Sequence, residues 1–347
     1  MMNSGLFKEV EVYQLRKATE ATCGDAFLSH RNRESGRIVS VLSDGLGSGV
    51  KANILASMTV KMALKFAESE LDIVRSAEIM MDALPVCAVR KIGYATYTVV
   101  DCRDNRTVRV IEQGNPGFIC VRNGTVMELP YTELKGRRQD YRRLRVTEFE
   151  PQPEDRILFF SDGVTEAGMG SRMYKLGWRR SGVVEFVEQT LEKTPGISAG
   201  DLVRRIVRTA ISKEPDGRAG DDTSCAAVYM RKPRRTLMLS GPPFAQNRDR
   251  EFAHLVESFE GRKAICGGTS ADIVARELGR SLHTPLLGGR SRLPPVSEMG
   301  GVDLVTEGIL TLTEAQRLLE DGAVPCENNA AVKLVDLLRD SDVVEMV

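Results

Sequence analysis

Apolar positions along the chain follow two rhythms. Thr107-Val108-Arg109-Val110-Ile111 alternates in period two, the pattern of a strand with one buried face. Similar strand-like runs recur at about 37–43, 94–101, 106–112, 117–122, 144–149, 156–161 and 224–230. Within them Ile157-Leu158-Phe159-Phe160 is continuously apolar and predicts a strand buried on both faces. Val50, Ile54, Leu55, Met58, Met62 and Phe66 instead follow helical spacing. Further helices are predicted over about 71–84, 181–193 and 198–213, the last capped by Ser198. Helices grouped in clusters, not alternating strictly with strands, predict an α+β fold with antiparallel sheets. After the basic, proline-bearing segment Arg231-Lys232-Pro233-Arg234-Arg235 the rhythm changes. Strands near 237–239, 262–266 and 302–305 now interleave with helices near 248–258, 270–280, 313–321 and 329–339, a small three-layer α/β unit. The expected domains are therefore 1–233 and 234–347.

Composition narrows the field. A chain of 347 residues exceeds what one hydrophobic core usually holds, in keeping with two domains. Lysine plus arginine (48) balances aspartate plus glutamate (48), so nucleic acid is not the expected partner. No run of about 18 apolar residues is present, and none is expected to cross a membrane. Seven scattered cysteines, odd in number and without a CxxC pair, argue against a disulfide framework and suit the reducing cytoplasm. With three histidines in all, any bound metal is expected to be held by oxygen.

Hard divalent cations are held by carboxylates at strand ends and turns, where carbonyls and waters can join them. Four aspartates beside glycine or a second aspartate meet that description: Asp25 in Gly24-Asp25, Asp44 in Ser43-Asp44-Gly45, Asp162 in Ser161-Asp162-Gly163, and Asp221 in Gly220-Asp221-Asp222-Thr223. Any one of them is ordinary turn chemistry. The repeated Ser-Asp-Gly triplet at two strand ends points further, and the separations require the fold to assemble any shared site.

The ordered series G-D, SDGLGSG, GNPGF, FFSDGVTEA and GDDTS resembles the metal-dependent serine/threonine protein phosphatases of the PPM (type-2C) family, most closely their bacterial SpoIIE-like branch, over about residues 8–230. The resemblance implies an αββα sandwich of two antiparallel sheets flanked by helices, with two Mn²⁺ or Mg²⁺ ions at one edge. It implies that Asp44 bridges both ions, that the Gly45 carbonyl and Asp25 serve one, and that Asp162 and Asp221 serve the other. Asp44 and Asp162 would then act in catalysis through metal-activated water, attacking phosphoserine or phosphothreonine without a phosphoenzyme. Asp222, where many relatives carry asparagine, would support the ligands or serve as an additional weak ligand, its other reading being a solvated turn residue, and Thr223 would hydrogen-bond a ligand carboxylate or the turn. The implied partner is a phosphorylated regulatory protein of the anti-sigma-factor antagonist type; a homodimer is left open.

Other features have two readings each. Gly114, Asn115 and Gly117 read as a structural turn. Gly47 and Gly49 permit a tight turn into the first helix, whose start favours anions. Ser48-Gly49 stands where eukaryotic relatives carry a histidine, and no arginine matches the one with which they grip phosphate. The segment LKGRRQDYRRLR (134–145) holds six basic residues, a solvated loop or a dock for an acidic phosphoprotein. In the second domain Cys266-Gly267-Gly268-Thr269-Ser270 follows a strand and opens a helix, with Thr269 or Ser270 placed to cap it. The alternatives to an enzyme are a non-catalytic protein that keeps the fold to bind a partner, and a phosphatase regulated by anion binding to the second domain.

Overall fold

Alternation along the strands gives each sheet one face for a partner sheet and one for helices. The computed structural model describes residues 6–69, 71–83, 95–103, 106–135, 144–285, 293–321 and 329–347. The chain divides into two compact units, Met1–Lys232 and Pro233–Val347. The first unit contains β1 (Phe7–Leu15), β2 (Ala26–Arg31), β3 (Ile38–Gly45), α1 (Gly49–Glu68), α2 (Ile73–Ala83), β4 (Ala95–Cys102), β5 (Val108–Gln113), β6 (Ile119–Arg122), β7 (Thr125–Met127), β8 (Thr132–Leu134), β9 (Leu144–Phe149), β10 (Arg156–Phe160), α3 (Asp162–Thr165), α4 (Arg179–Lys193), α5 (Ala199–Ile211) and β11 (Thr223–Arg231). One sheet runs β1-β11-β10-β6-β7 and the other β2-β3-β4-β5-β9-β8. Every neighbouring pair in both is antiparallel.

Between the sheets, Ile38, Leu42, Val100 and Val110 meet Ile157, Phe159, Val228 and Met230. The outer face of the second sheet, with Val39, Val41 and Val99, is covered by Ala56 and Val60 of α1 and Ala77 and Met80 of α2. On the other side, Leu158, Phe160 and Ala227 pack under Val183 and Val187 of α4 and Leu202 and Ile206 of α5. The result is an αββα sandwich. The continuously apolar β10 is buried on both faces, as its composition requires. The Ser198 hydroxyl caps α5 by accepting the Asp201 amide. β1 escaped the apolar pattern because its outward residues are polar. Its Glu9 pairs with Arg231 and accepts the Ala199 amide at the start of α5.

The turn at 114–118 is tied down from three sides. The Asn115 amide donates to Thr98 Oγ1 at 3.1 Å and its carbonyl accepts the Thr96 hydroxyl, which links the turn to β4 beside the end of β3. Arg180 donates from Nε to the Gly117 carbonyl (3.0 Å) and from Nη2 to that of Phe118 (2.9 Å). Glu112 accepts the Phe118 amide at 2.7 Å. Burial outweighs that hydrogen bond and pushes the Glu112 carboxyl up to about 7. Of the six basic residues in 134–145, Arg137, Arg138, Arg142 and Arg143 lie outside the described residues. Arg145, in β9, lies over the Tyr131 ring.

The second unit contains β12 (Arg235–Leu239), α6 (Asp249–Ser258), β13 (Arg262–Cys266), α7 (Gly268–Leu278), β14 (Leu282–His283), β15 (Ser297–Met299), β16 (Val302–Thr306), α8 (Ile309–Asp321), α9 (Ala330–Arg339) and β17 (Val343–Met346). Its sheet runs β14-β15-β16-β13-β12-β17, with the last four strands parallel. α6 and α7 cover one face and α8 and α9 the other. α7 starts two residues ahead of expectation. Its N-cap is Gly267, with no side-chain cap, and not Thr269 or Ser270.

Two measurements test this architecture. Phe159→Ala empties the fully buried centre between the sheets and should cost about 3–5 kcal/mol of unfolding free energy in urea. Glu112 binds its proton more tightly in the folded chain, so its favourable contribution is complete below about pH 4.5 and is lost as pH rises through about 7. Glu112→Gln, which can still accept the Phe118 amide, should therefore flatten the fall in stability between pH 5 and 8, a difference of up to about 3 kcal/mol.

Candidate acidic active site

The four predicted aspartates all lie where strands meet turns at one end of the sandwich. Asp25 immediately precedes β2, Asp44 is the penultimate residue of β3, Asp162 follows β10 as the first residue of α3, and Asp221 and Asp222 precede β11. Because β2 and β3 are antiparallel neighbours, the start of one lies beside the end of the other, and the same holds for β10 and β11.

Glycines decide how closely these ends approach. A Cβ added to Gly45 would lie 2.1 Å from the Ala52 carbonyl oxygen in the first turns of α1. One on Gly163 would lie 2.2 Å from the Asp222 carbonyl oxygen, and one on Gly24 would lie 2.7 Å from Asp222 Oδ2. Side chains at these positions would force apart the segments that carry the aspartates. Gly47 and Gly49, with φ of 107° and 69°, make the turn into α1.

Hydrogen bonds hold the carboxylates in place. Ser224 donates to Asp25 Oδ2 at 2.5 Å, while Asp25 Oδ1, fully buried, has no hydrogen-bond partner among the described residues. The Ser161 hydroxyl accepts the Ser224 amide (3.0 Å), joining the two strand ends. Asp222 Oδ1 accepts the Lys17 amide at 3.0 Å, and the Thr223 hydroxyl donates to the Asp221 carbonyl at 3.0 Å. Asp222 is thus a buried residue that fastens the 16–18 segment, not a solvated turn residue, and Thr223 serves the turn. In the N-cap of α1, Ser48 donates to Glu20 Oε1 at 2.9 Å. Ser161, Ser224, Glu20 and Glu166 were assigned no role from the sequence. The two serines could have been found, since each belongs to an aspartate motif; Glu20 belongs to none.

The electrostatics favour a positive occupant. Burial drives the Asp44 carboxyl up, and the charges of Asp25, Asp162 and Asp221 add to it, as does a hydrogen bond shared with Asp162. Asp25 is raised by burial and by Asp222 and Asp162, against the lowering effect of the Ser224 and Ser161 hydroxyls. Asp221 and Glu166, nearer the solvent, are raised by burial and by their acidic neighbours. Among the described residues, no three His, Cys, Asp or Glu side chains stand ready around one metal position. The donor set is nonetheless all oxygen, and a cation would offset the charges that raise Asp44 and satisfy Asp25 Oδ1, so the residues fit a hard divalent ion.

Comparison with known proteins bears on the fold and the family. No curated protein sequence matches the chain. Among solved structures, the PP2C phosphatase domain with a fragment of the regulatory domain of SpoIIE from Bacillus subtilis superposes with a TM-score of 0.53 at 16% identity, covering 66% of this chain and 65% of that one. The RsbU and RsbW domains of a Mycobacterium tuberculosis protein give 0.52 at 17% identity, covering 73% and 68%. Both show the shared fold. Among the described residues no helix is long and apolar enough to cross a membrane. The family model for stage II sporulation protein E (SpoIIE) matches residues 34–231, a span that holds three of the four aspartate motifs and more than half the chain, and the chain belongs to that family of PP2C-type phosphatases.

Proposed function

We propose that the first unit is a divalent-metal-dependent phosphatase acting on phosphoserine or phosphothreonine of a regulatory protein. The observation that supports this reading is that Asp44 feels the charges of Asp25, Asp162 and Asp221, while Asp25 and Asp221 each feel that of Asp162. Asp44, the Gly45 carbonyl, Asp25, Asp162 and Asp221 are the residues that would hold two Mn²⁺ or Mg²⁺ ions. Such a pair neutralises phosphate oxygens and lowers the pKa of water, which supplies the nucleophile. The chain's own residues prepare the site. Ser224 fixes Asp25 through Oδ2 and leaves Oδ1 available, Asp222 anchors the 16–18 segment, and Asp44, raised by burial and its acidic neighbours, gives up its proton more readily when cations bind. The family resemblance and the RsbU-containing structural neighbour support an anti-sigma-factor antagonist type of substrate. A phosphoproteome comparison with and without the protein tests that assignment.

Purified protein should hydrolyse p-nitrophenyl phosphate and a phosphoserine protein with Mn²⁺ and stop on chelation. Asp44→Asn and Asp162→Asn should reduce turnover to background. Unchanged turnover in both would sink the assignment, and a folded protein that ignores Mn²⁺ would favour the non-catalytic alternative. Asp44→Asn should also raise the melting temperature of the metal-free protein while abolishing its further rise with Mn²⁺. The sign follows because a carboxyl whose folded pKa is raised destabilises the fold at neutral pH, and the amide removes that cost. Ser224→Ala should weaken Mn²⁺ binding or activity about 10- to 100-fold. Titration calorimetry in buffers of different ionisation enthalpy should register protons released on metal binding, with affinity rising with pH.

A further inference from the structure

We propose that the second unit binds the phosphate group of a small phosphorylated ligand at the start of α7. In its sheet, the parallel neighbours β13 and β16 send their following helices to opposite faces, α7 to one and α8 to the other. The place outside the carboxyl ends of two such strands is the usual one for a ligand in an open α/β sheet. Two glycine-bearing loops line it, Gly267-Gly268 after β13 and Gly308 after β16. They are in contact: a Cβ on Gly308 would lie 3.5 Å from the Gly267 Cα, and the Gly267 amide donates to the Thr306 carbonyl at 2.9 Å.

The start of α7 is left open. An α-helix has no internal acceptors for its first amides, and the N-cap here is a glycine at φ +147°, with no side chain to supply one. Gly268 and Thr269 are exposed, and a Cβ added to Gly268 would meet nothing within 4 Å. The start of α8, by contrast, is already served by Glu307, whose carboxylate accepts the Leu310 amide at 3.3 Å.

A second observation is independent of the helix end. Ser270 is fully buried, and its hydroxyl has no hydrogen-bond partner among the described residues. It points back at the cap, with Oγ 3.6 Å from the position a Gly267 Cβ would take, nearer than its own Cβ at 4.0 Å. A buried hydroxyl without a partner is destabilising, and an oxyanion at the α7 amides is the acceptor this one lacks. Thr311, in the first turn of α8, is likewise fully buried without a partner. No metal and no lysine is needed for such a site, since the amides and the helix dipole supply the positive potential. Phe244, in the loop after the adjacent β12 at the same sheet edge, is wholly exposed and offers a ring on which a nucleobase could stack.

The test uses the full chain in EDTA and with Asp44→Asn, so that phosphate cannot be held through metal in the first unit. Inorganic phosphate should raise the melting temperature above that in chloride of equal ionic strength, and Ser270→Ala and Gly268→Ala should each weaken the effect about tenfold in apparent affinity. Without phosphate, Ser270→Ala should melt at the wild-type temperature or higher, because it deletes an unsatisfied hydroxyl, and Gly268→Ala should melt as wild type. Adenosine monophosphate that binds more tightly than phosphate, with the gain lost in Phe244→Ala, assigns the site to a nucleotide; equal binding assigns it to free phosphate. No phosphate-dependent shift, or an equal shift in both variants, overturns the proposal. Because the measurement excludes metal, its failure leaves the phosphatase reading untouched, and the reverse also holds.

Discussion

The site in the first unit rests on a steric constraint: at one end of the sandwich, backbone segments approach so closely that no Cβ fits between them. Gly45 lies against the Ala52 carbonyl, Gly163 against the Asp222 carbonyl and Gly24 against the Asp222 carboxylate. Each of these glycines neighbours an aspartate in sequence. Spacing and charge are thereby set together, because the residue that permits close approach is bonded to the residue whose charge is brought in. An alanine at Gly45 or Gly163 would have to move backbone, which core packing on both sides of the sheets resists.

That constraint has an electrostatic consequence. Carboxylates forced together and partly removed from water raise one another's pKa, and Asp44, pushed up by burial and by Asp25, Asp162 and Asp221, carries the largest part of that effect. Stability is given up at this end and supplied elsewhere, chiefly by the apolar layer around Phe159 and by the helix-covered outer faces. The serines act as local compensation: Ser224 and Ser161 stabilise the charged form of Asp25 without neutralising it. The turn at 114–118 contributes at a distance, since Asn115 fastens β4, and Thr96 of β4 is the register partner of Asp44.

The second unit uses the same backbone device differently. Gly267 and Gly308 let two loops meet at the carboxyl edge of a parallel sheet, where helix ends supply partial positive charge in place of accumulated carboxylates. One end of the first unit thus concentrates negative charge, while the proposed site in the second unit relies on partial positive charge.

Much of this was legible in the chain itself. The period-two runs and the apolar β10 predicted antiparallel sheets, and the Ser-Asp-Gly repeats marked Asp44 and Asp162, because strand identity and turn chemistry are written in adjacent residues. Ser198 was readable as a cap for the same reason. β1 was not, since its outward Glu9 and Glu11 interrupt the apolar pattern and find their use only through Arg231, the α5 amides and other distant groups. The burial of Asp222, the bond from Ser224 to Asp25 and the place of Glu20 beside Ser48 were equally out of reach. Local sequence determined which residues could bear charge at a strand end; tertiary structure alone decided which charges share a site, because that depends on segments as far apart in the chain as Asp25 and Ser224, separated by 199 residues, being packed within hydrogen-bonding distance.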